Sequence, residues 1–240
     1  KNGKSIDEAK ENGEYNPQDP YKNRDPRLTQ TVFYHNSRWL KATVDISEGG
    51  KDNNSINPAR EGNRTKTGYY LKRHLAENEE DTQFGKTNFH SGIVSSWPVV
   101  RYADILLMNA EALAELGELD KTAWDATIKP IRDRAGFTLA SALEFPEGAS
   151  KDKLIEIVRN ERRSELALEG HRHKDIIRWR IADNVLNGWC HGLKTNDVVG
   201  TDDGYVRVEN RTFNANKHYL WPIPQAERDL NGNLEQNPNW

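Results

Sequence analysis

The 240-residue chain is 35% hydrophobic and 30% charged, with a formal net charge of −3 and a mean hydropathy of −0.91. Its length admits one substantial domain or two small ones; acids and bases are interspersed without the basic stripe of a nucleic-acid binder, and no apolar run approaches the roughly 18 residues of a spanning helix. A single cysteine, Cys190, excludes an intrachain disulfide.

Residues 1–20 are polar and lack the positive n-region and apolar h-region of a signal peptide. Residues 1–96 show no sustained periodicity, and they read as an irregular, loop-rich region. Short β-like runs at 31–34, 41–46 and 67–72 punctuate it, and a Gly- and Asn-rich loop fills 47–66. A stretch this long without regular elements is functional or disordered, and its aromatic residues favour order.

Residues 97–184 read as two tetratricopeptide-like helical hairpins. Ala103, Leu106, Leu107, Ala110, Leu113 and Ala114 form one stripe at helical spacing, with Gly117 as the stop. Alternating alanines and leucines let a second helix approach closely. That helix has Asp120 as its cap and Gly136 beyond its end, and Pro130 is expected to bend or split it near 127–129. Ser150 caps a third helix that carries Leu154, Ile157, Val158 and Leu166 and ends at Gly170. A fourth covers about 173–184, with Ile176, Ile177, Trp179 and Ile181. Residues 185–240 read as a loop-rich segment packed on the helices; 217–224 is an extended run whose prolines exclude a central strand. The fold class expected is mostly α with long loops and short strands.

Catalytic signatures are sparse. Glu161 and Glu165 could serve as acid and base, but neighbours four residues apart on one helix point the same way, whereas glycosidase carboxylates flank the substrate. The competing reading makes Glu161, Arg162, Glu165, Arg172 and Asp175 a structural charge network, with Arg132, Arg134, Arg172 or Arg178 as partners for the two glutamates. His171 and His173 sit at a helix start without the further ligands that zinc needs; no metal site is expected. Gly188 to Gly192 reads as a tight loop, and Cys190 beside His191 has no supporting nucleophile pattern. No dinucleotide or phosphate-binding glycine motif is present, so no cofactor is expected.

Binding chemistry is more plausible than catalysis. Tyr34, Trp39, Tyr69, Tyr70, Phe84, Phe89 and Trp97 all precede the helices, among residues able to bond sugar hydroxyls. Trp39 is the best ligand candidate, with Tyr34, Arg38 and Asn36 beside it. Trp97 is expected to pack at the start of the first helix, and Trp124, Trp179 and Trp221 to pack in the core. Trp189 and Trp240 fall outside residues 1–96.

Several stretches also resemble the SusD/RagB family, in that family's order. They are the Arg-Asp-Pro-Arg-Leu of residues 24–28; the Thr-Gly-Tyr-Tyr-Leu-Lys-Arg of 67–73; the Arg-Tyr-Ala-Asp run from Arg101 to Glu111; and the Ile-Arg-Asp-Arg-Ala-Gly of 131–136. Glu161 to Leu166, Glu169 to Arg172 and Asp175 to Trp179 continue the series, and Leu220 to Gln225 with Gln236 to Pro238 ends it. The resemblance is to the family's carboxy-terminal half. It implies a non-catalytic nutrient-binding subunit at the outer membrane, surface-exposed and lipid-anchored through an amino-terminal cysteine; internal Cys190 cannot fill that role, and these 240 residues hold no other cysteine. It further implies a SusC-like, TonB-dependent transporter as partner and an oligosaccharide, polysaccharide or peptide as ligand, with the helical hairpins toward the transporter and the variable loops toward the ligand. The rival classes are a tetratricopeptide-type adaptor, which would carry more repeats and fewer aromatic loops, and a glycoside hydrolase, which would need facing carboxylates.

Overall fold

The structure, a computed structural model, describes residues 3–17, 19–47, 50–52, 65–73, 75, 98–194 and 201–240. The chain is mostly helical, with short strands, and divides into two compact units. One comprises Lys1–Val44 and Tyr70–Glu169, the other Asp45–Tyr69 and Gly170–Trp240. These units cut across the three sequence segments expected above.

The first unit opens on α1 (Ile6–Glu11), which the polar composition of residues 1–20 concealed. Ser5 and Glu8 form a capping box: the Ser5 hydroxyl accepts from the Glu8 amide at 3.2 Å, and the Ser5 amide donates to the Glu8 carboxylate at 2.8 Å. After α2 (Leu28–Thr31), the β-like runs condense to pairs of residues. β1 (Val32–Phe33) pairs antiparallel with β4 (Tyr70–Leu71), and β2 (Arg38–Trp39) with β3 (Ala42–Thr43).

Helices α3 (Tyr102–Leu116), α4 (Lys121–Ala135) and α6 (Lys151–Glu165) form the core of this unit, with the short α5 (Ala140–Leu143) between the last two. Their ends follow local chemistry. Gly117 and Gly136 take left-handed conformations at φ 76° and 92° as helix stops. The Asp120 carboxylate accepts from the Ala123 amide at 2.8 Å, and the Ser150 hydroxyl from the Lys153 amide at 3.2 Å. Leu107, Ala110 and Ala114 of α3 meet Trp124, Ile128 and Ile131 of α4 and Leu154 and Val158 of α6. Small side chains on α3 leave room for the indole of Trp124, which is 1% exposed and donates to the Leu143 carbonyl at 2.8 Å.

Two expectations fail in this block. Helix α4 runs unbroken through Pro130, so the split half of the bend-or-split expectation is what fails. Pro130 and Ala126 are exposed, so the carbonyl that the proline leaves without a partner meets water, while buried Trp124, Thr127, Ile128 and Ile131 hold the helix on both sides. The third helix stops at Glu165 rather than Gly170: Leu166, at φ −96° and ψ 20°, already leaves the helix, and Leu168 and Gly170 beyond it adopt positive φ, 66° and 82°.

In the second unit, the single helix expected over 173–184 is two: α7 (His171–Arg178) and α8 (Ala182–Val185). Arg180, at φ 55°, turns the chain between them. Nor is 185–240 all loop. β5 (Gly188–Lys194), β6 (Thr201–Asp202) and β7 (Tyr205–Arg211) form an antiparallel sheet in the order β5-β7-β6, so the tight loop expected at 188–192 is a strand. Asp203 and Gly204, both at positive φ, make the two-residue turn between paired Asp202 and Tyr205. Gly192 is obligatory: a Cβ there would stand 2.6 Å from the Thr67 carbonyl oxygen, which accepts from the Leu193 amide at 2.8 Å.

The expected extended run at 217–224 is a turn through Leu220 and extended only beyond it. The Gln236 side chain then bonds Ile223 twice, accepting from its amide at 2.8 Å and donating to its carbonyl at 3.0 Å. A short α9 (Gln225–Leu230) lies between those residues. Among the described residues, no helix is long and apolar enough to cross a membrane.

Trp124→Ala removes the largest fully buried side chain of the first unit. It should lower unfolding free energy by about 3–5 kcal/mol in urea titration; a loss below about 1 kcal/mol would mean that the three helices do not share one core.

Candidate ligand-binding surface

A charged network lies in the first unit, at the carboxyl end of α6. Glu161 receives Arg27 Nη1 at 2.7 Å and Arg132 Nε at 2.7 Å. Glu165 receives Arg27 at 2.9 Å, Arg101 at 2.6 Å and Arg134 at 2.5 Å. Glu169 takes Arg101 Nε at 2.8 Å and pairs also with Arg73. Arg162 bonds Asp104 at 2.6 Å. Arg27 is itself steadied by Asp25 at 2.6 Å. The glutamates are buried, with the Glu165 side chain 1% exposed.

Burial alone would push the Glu165 carboxyl up; the bonded guanidinium groups of Arg101 and Arg27 overcome it and hold the group below the ordinary range. Burial likewise opposes the charge on Arg27, and Asp25 and Glu161 outweigh it, so its pKa is raised. A lowered carboxyl clamped by three guanidinium groups is an ion-pair anchor. A general acid needs the opposite shift.

Beside the network lies a recess of about 180 Å³, lined by Arg27, Gln30, Lys72, Arg73, Arg134 and Glu165 among others. Pockets that engulf a drug-sized molecule run to roughly 300–1,000 Å³, so this one has room for water or a small anion. Among the described residues, no three His, Cys, Asp or Glu side chains gather as a metal site would.

The four ligand candidates from the sequence sit together on and beside the β2–β3 hairpin of the first unit. Asn36 and Arg38 are exposed, and Tyr34 and Trp39 are half-buried. Tyr34 stacks on Tyr21 with centroids 4.0 Å apart, and burial followed by nearby Asp19 raises its hydroxyl pKa. Trp39 lies 5.5 Å from the ring of buried Phe33, so part of the indole anchors the hairpin and part faces out. Leu40, at the two-residue turn, takes φ 53°, an uncommon conformation for a bulky residue. Phe84, Phe89 and Trp97 lie outside the described residues.

The SusD family model matches residues 1–240. The chain belongs to the SusD family. Two SusD-like proteins of Formosa agariphila are 33% identical over 140 residues and 32% identical over 128, covering 58% and 50% of this chain but 24% and 25% of their own length. A SusD-like carbohydrate binding protein from Bacteroides fragilis superposes with a TM-score of 0.71 at 30% identity, over 92% of this chain and 43% of its own. A SusD homolog from Bacteroides thetaiotaomicron, 24% identical with a TM-score of 0.55 over 90% of this chain and 41% of its own, shares the fold. This SusD-family chain therefore spans about a quarter of the curated relatives and less than half of these solved structures.

Within the SusD-family chain, the residues that carry the sequence resemblance meet at the charge network. Arg27, Arg73, Arg101, Arg132 and Arg134 come from four separate stretches and converge on Glu161, Glu165 and Glu169 of two more. Of the network residues named from sequence, Glu161, Arg162 and Glu165 lie here. Arg172 and Asp175 belong to the other unit, where Arg172 stands over the Trp179 ring at 5.9 Å and Asp175 pairs with Arg178 at 2.9 Å. Arg27 and Arg101 are partners that helix spacing does not assign, although both sit in family-like motifs. Trp221, expected in the core, is 78% exposed.

Glu161→Ala should cost about 3–5 kcal/mol, because it leaves Arg27 and Arg132 buried with one partner fewer; an unchanged melting temperature would contradict that. The stability due to Glu165 is fully present above the ordinary glutamate value near 4.5 and is lost as pH falls through its lowered folded-state value. Glu165→Gln should flatten the acid limb of the stability–pH profile. A limb parallel to the parent's would assign acid lability elsewhere.

Proposed function

We propose that this chain is the carboxy-terminal part of a non-catalytic, cell-surface glycan-binding subunit that delivers its ligand to a SusC-like, TonB-dependent transporter in the outer membrane. The observation that carries this reading is the likeness, at 30% identity and over 92% of this chain, to a carbohydrate binding member of the same family. The charge network supports it from the other side: Glu161 and Glu165, the carboxylates a hydrolase reading would need, are taken up in ion pairs with arginines. Lipid anchoring at the cell surface belongs to the same proposal.

On this reading Trp39, Tyr34, Arg38 and Asn36 contact the sugar. The exposed part of the indole receives a pyranose C–H face, and Arg38 and Asn36 bond its hydroxyls. Trp39→Ala and Arg38→Ala should each weaken retardation of the chain in a polysaccharide-containing gel several-fold, by analogy with aromatic stacking of roughly 1–3 kcal/mol per ring. Unchanged mobility of both variants, in a gel that retards the parent, would remove the hairpin from the site.

The transporter would meet a different surface, on the first helical hairpin. Glu115, bonded to Arg159 at 2.8 Å, and Lys121, bonded to Asp125 at 2.5 Å, are exposed at the facing ends of α3 and α4. Reversing both charges should reduce capture of the transporter by the complete protein and leave gel retardation by polysaccharide unchanged. Equal losses in both assays would merge the two surfaces.

A further inference from the structure

The second unit carries an exposed polar–aromatic face on its three-stranded sheet. Trp189, on β5, is 45% exposed. Its ring lies 5.5 Å from the Arg207 guanidinium of β7. Arg207 Nε donates to Asp202 of β6 at 2.9 Å, and Asp202 meets His191 Nε2 at 2.8 Å. These contacts gather one aromatic and three ionisable side chains from all three strands on one surface. Arg207, followed by His191, lowers the Asp202 carboxyl to about 2. Register shifts in the β5–β7 pairing fall on both sides of His191, and such irregularities re-aim side chains near functional sites.

We propose that this face of the β5-β7-β6 sheet is a contact surface for a pyranose unit of a glycan, with Trp189 as the stacking ring and Asp202, Arg207 and His191 as the hydroxyl-bonding groups. The inference rests on the glycan-binding reading above and adds a site to it. The chemistry matches a sugar on both of its aspects. A pyranose presents a C–H face, for which a broad apolar ring with one side held by Arg207 is the complement. Its edge carries hydroxyls that donate and accept, and Asp202 only accepts while Arg207 only donates. Paired strands hold these groups more firmly than loops would. Trp221 is more exposed, at 78%, but it sits on an irregular run beside Leu220 and His173, without such an ion-paired set.

The test is affinity electrophoresis of the 240-residue chain in gels holding amylopectin, xylan, pectin, laminarin or alginate. In the polymer that retards the parent most, Trp189→Ala should bind roughly ten-fold more weakly and Trp189→Phe should keep most of the affinity, with melting temperatures near the parent's because the ring is half in solvent. Retardation of Trp189→Ala equal to the parent's would overturn the sheet-face site and leave the glycan reading standing. If no polymer retards the parent, both fall. If Trp189→Ala loses its melting transition, Asp202→Asn decides: weakened retardation supports the site, and unchanged retardation overturns it.

Discussion

Burying a carboxylate is unfavourable unless its charge is answered at bonding distance, and Glu165 is answered three times, by Arg27, Arg101 and Arg134. The first unit depends on that requirement. Arg27 lies 134 residues from Glu161, its bonding partner, and Arg73 lies 96 residues from Glu169. The three glutamates are answered together only when Arg27 before α2, Arg73 just beyond β4, Arg101 at the start of α3 and Arg132 and Arg134 near the end of α4 are all in place. Apolar burial alone would tolerate sliding between these pieces, whereas a forked guanidinium tolerates little. In a chain that is 30% charged and 35% hydrophobic, part of the ordering of irregular segments therefore falls to directional ion pairs, and the apolar core is kept for α3, α4 and α6.

This division of labour accounts for what could be read in advance. Local signals were legible: the alanine–leucine stripe of α3, the caps Asp120 and Ser150, the stops Gly117 and Gly136. Each works within a few residues of itself. Pro130 misled because its effect depends on which face of α4 is wet, and that is a tertiary fact. The Ser5–Glu8 capping box and the Asp203-Gly204 turn are local too, but each serves an element of few residues with no apolar stripe to single it out. The partners of Glu161 and Glu165 belong to a different class. Arg132 and Arg134 were within reach of helix-packing arguments, but Arg27 and Arg101 became partners only when distant segments closed on α6. The tail shows the same limit, since nothing near Ile223 announces that Gln236 will satisfy both of its backbone groups.

Aromatic residues divide by the same logic. Trp124 is enclosed by a core that the helical stripes predict. Trp39 is drawn partly inward by Phe33, a neighbour across a turn. Trp189 and Trp221 stay in solvent, and their neighbourhoods differ: Trp189 stands among ion-paired groups on a sheet, Trp221 on a proline-bounded run. Composition alone could not separate these cases, because exposure is set by what the rest of the chain places beside each ring.

Open surfaces also suit the ligand class proposed. A polysaccharide has no end within reach of most binding events, so an enclosed pocket would have to thread it, whereas a ring on a hairpin or sheet can meet it anywhere along its length. The recess beside the network, at about 180 Å³, is small even for one enclosed ligand of modest size. Stacking surfaces need rigid support but little depth. The hairpin carrying Trp39 belongs to the unit organised by the buried arginine–glutamate cluster, and Trp189 lies on a paired strand whose Gly192 is fitted against Thr67. Around Trp189 the side chains offered to solvent are not the groups that fit the strand to its neighbour, whereas Trp39 does both, one part of its ring resting on Phe33. Such a framework would suit the ligand class proposed, because the buried ion pairs that fix the first unit are not the rings offered to solvent.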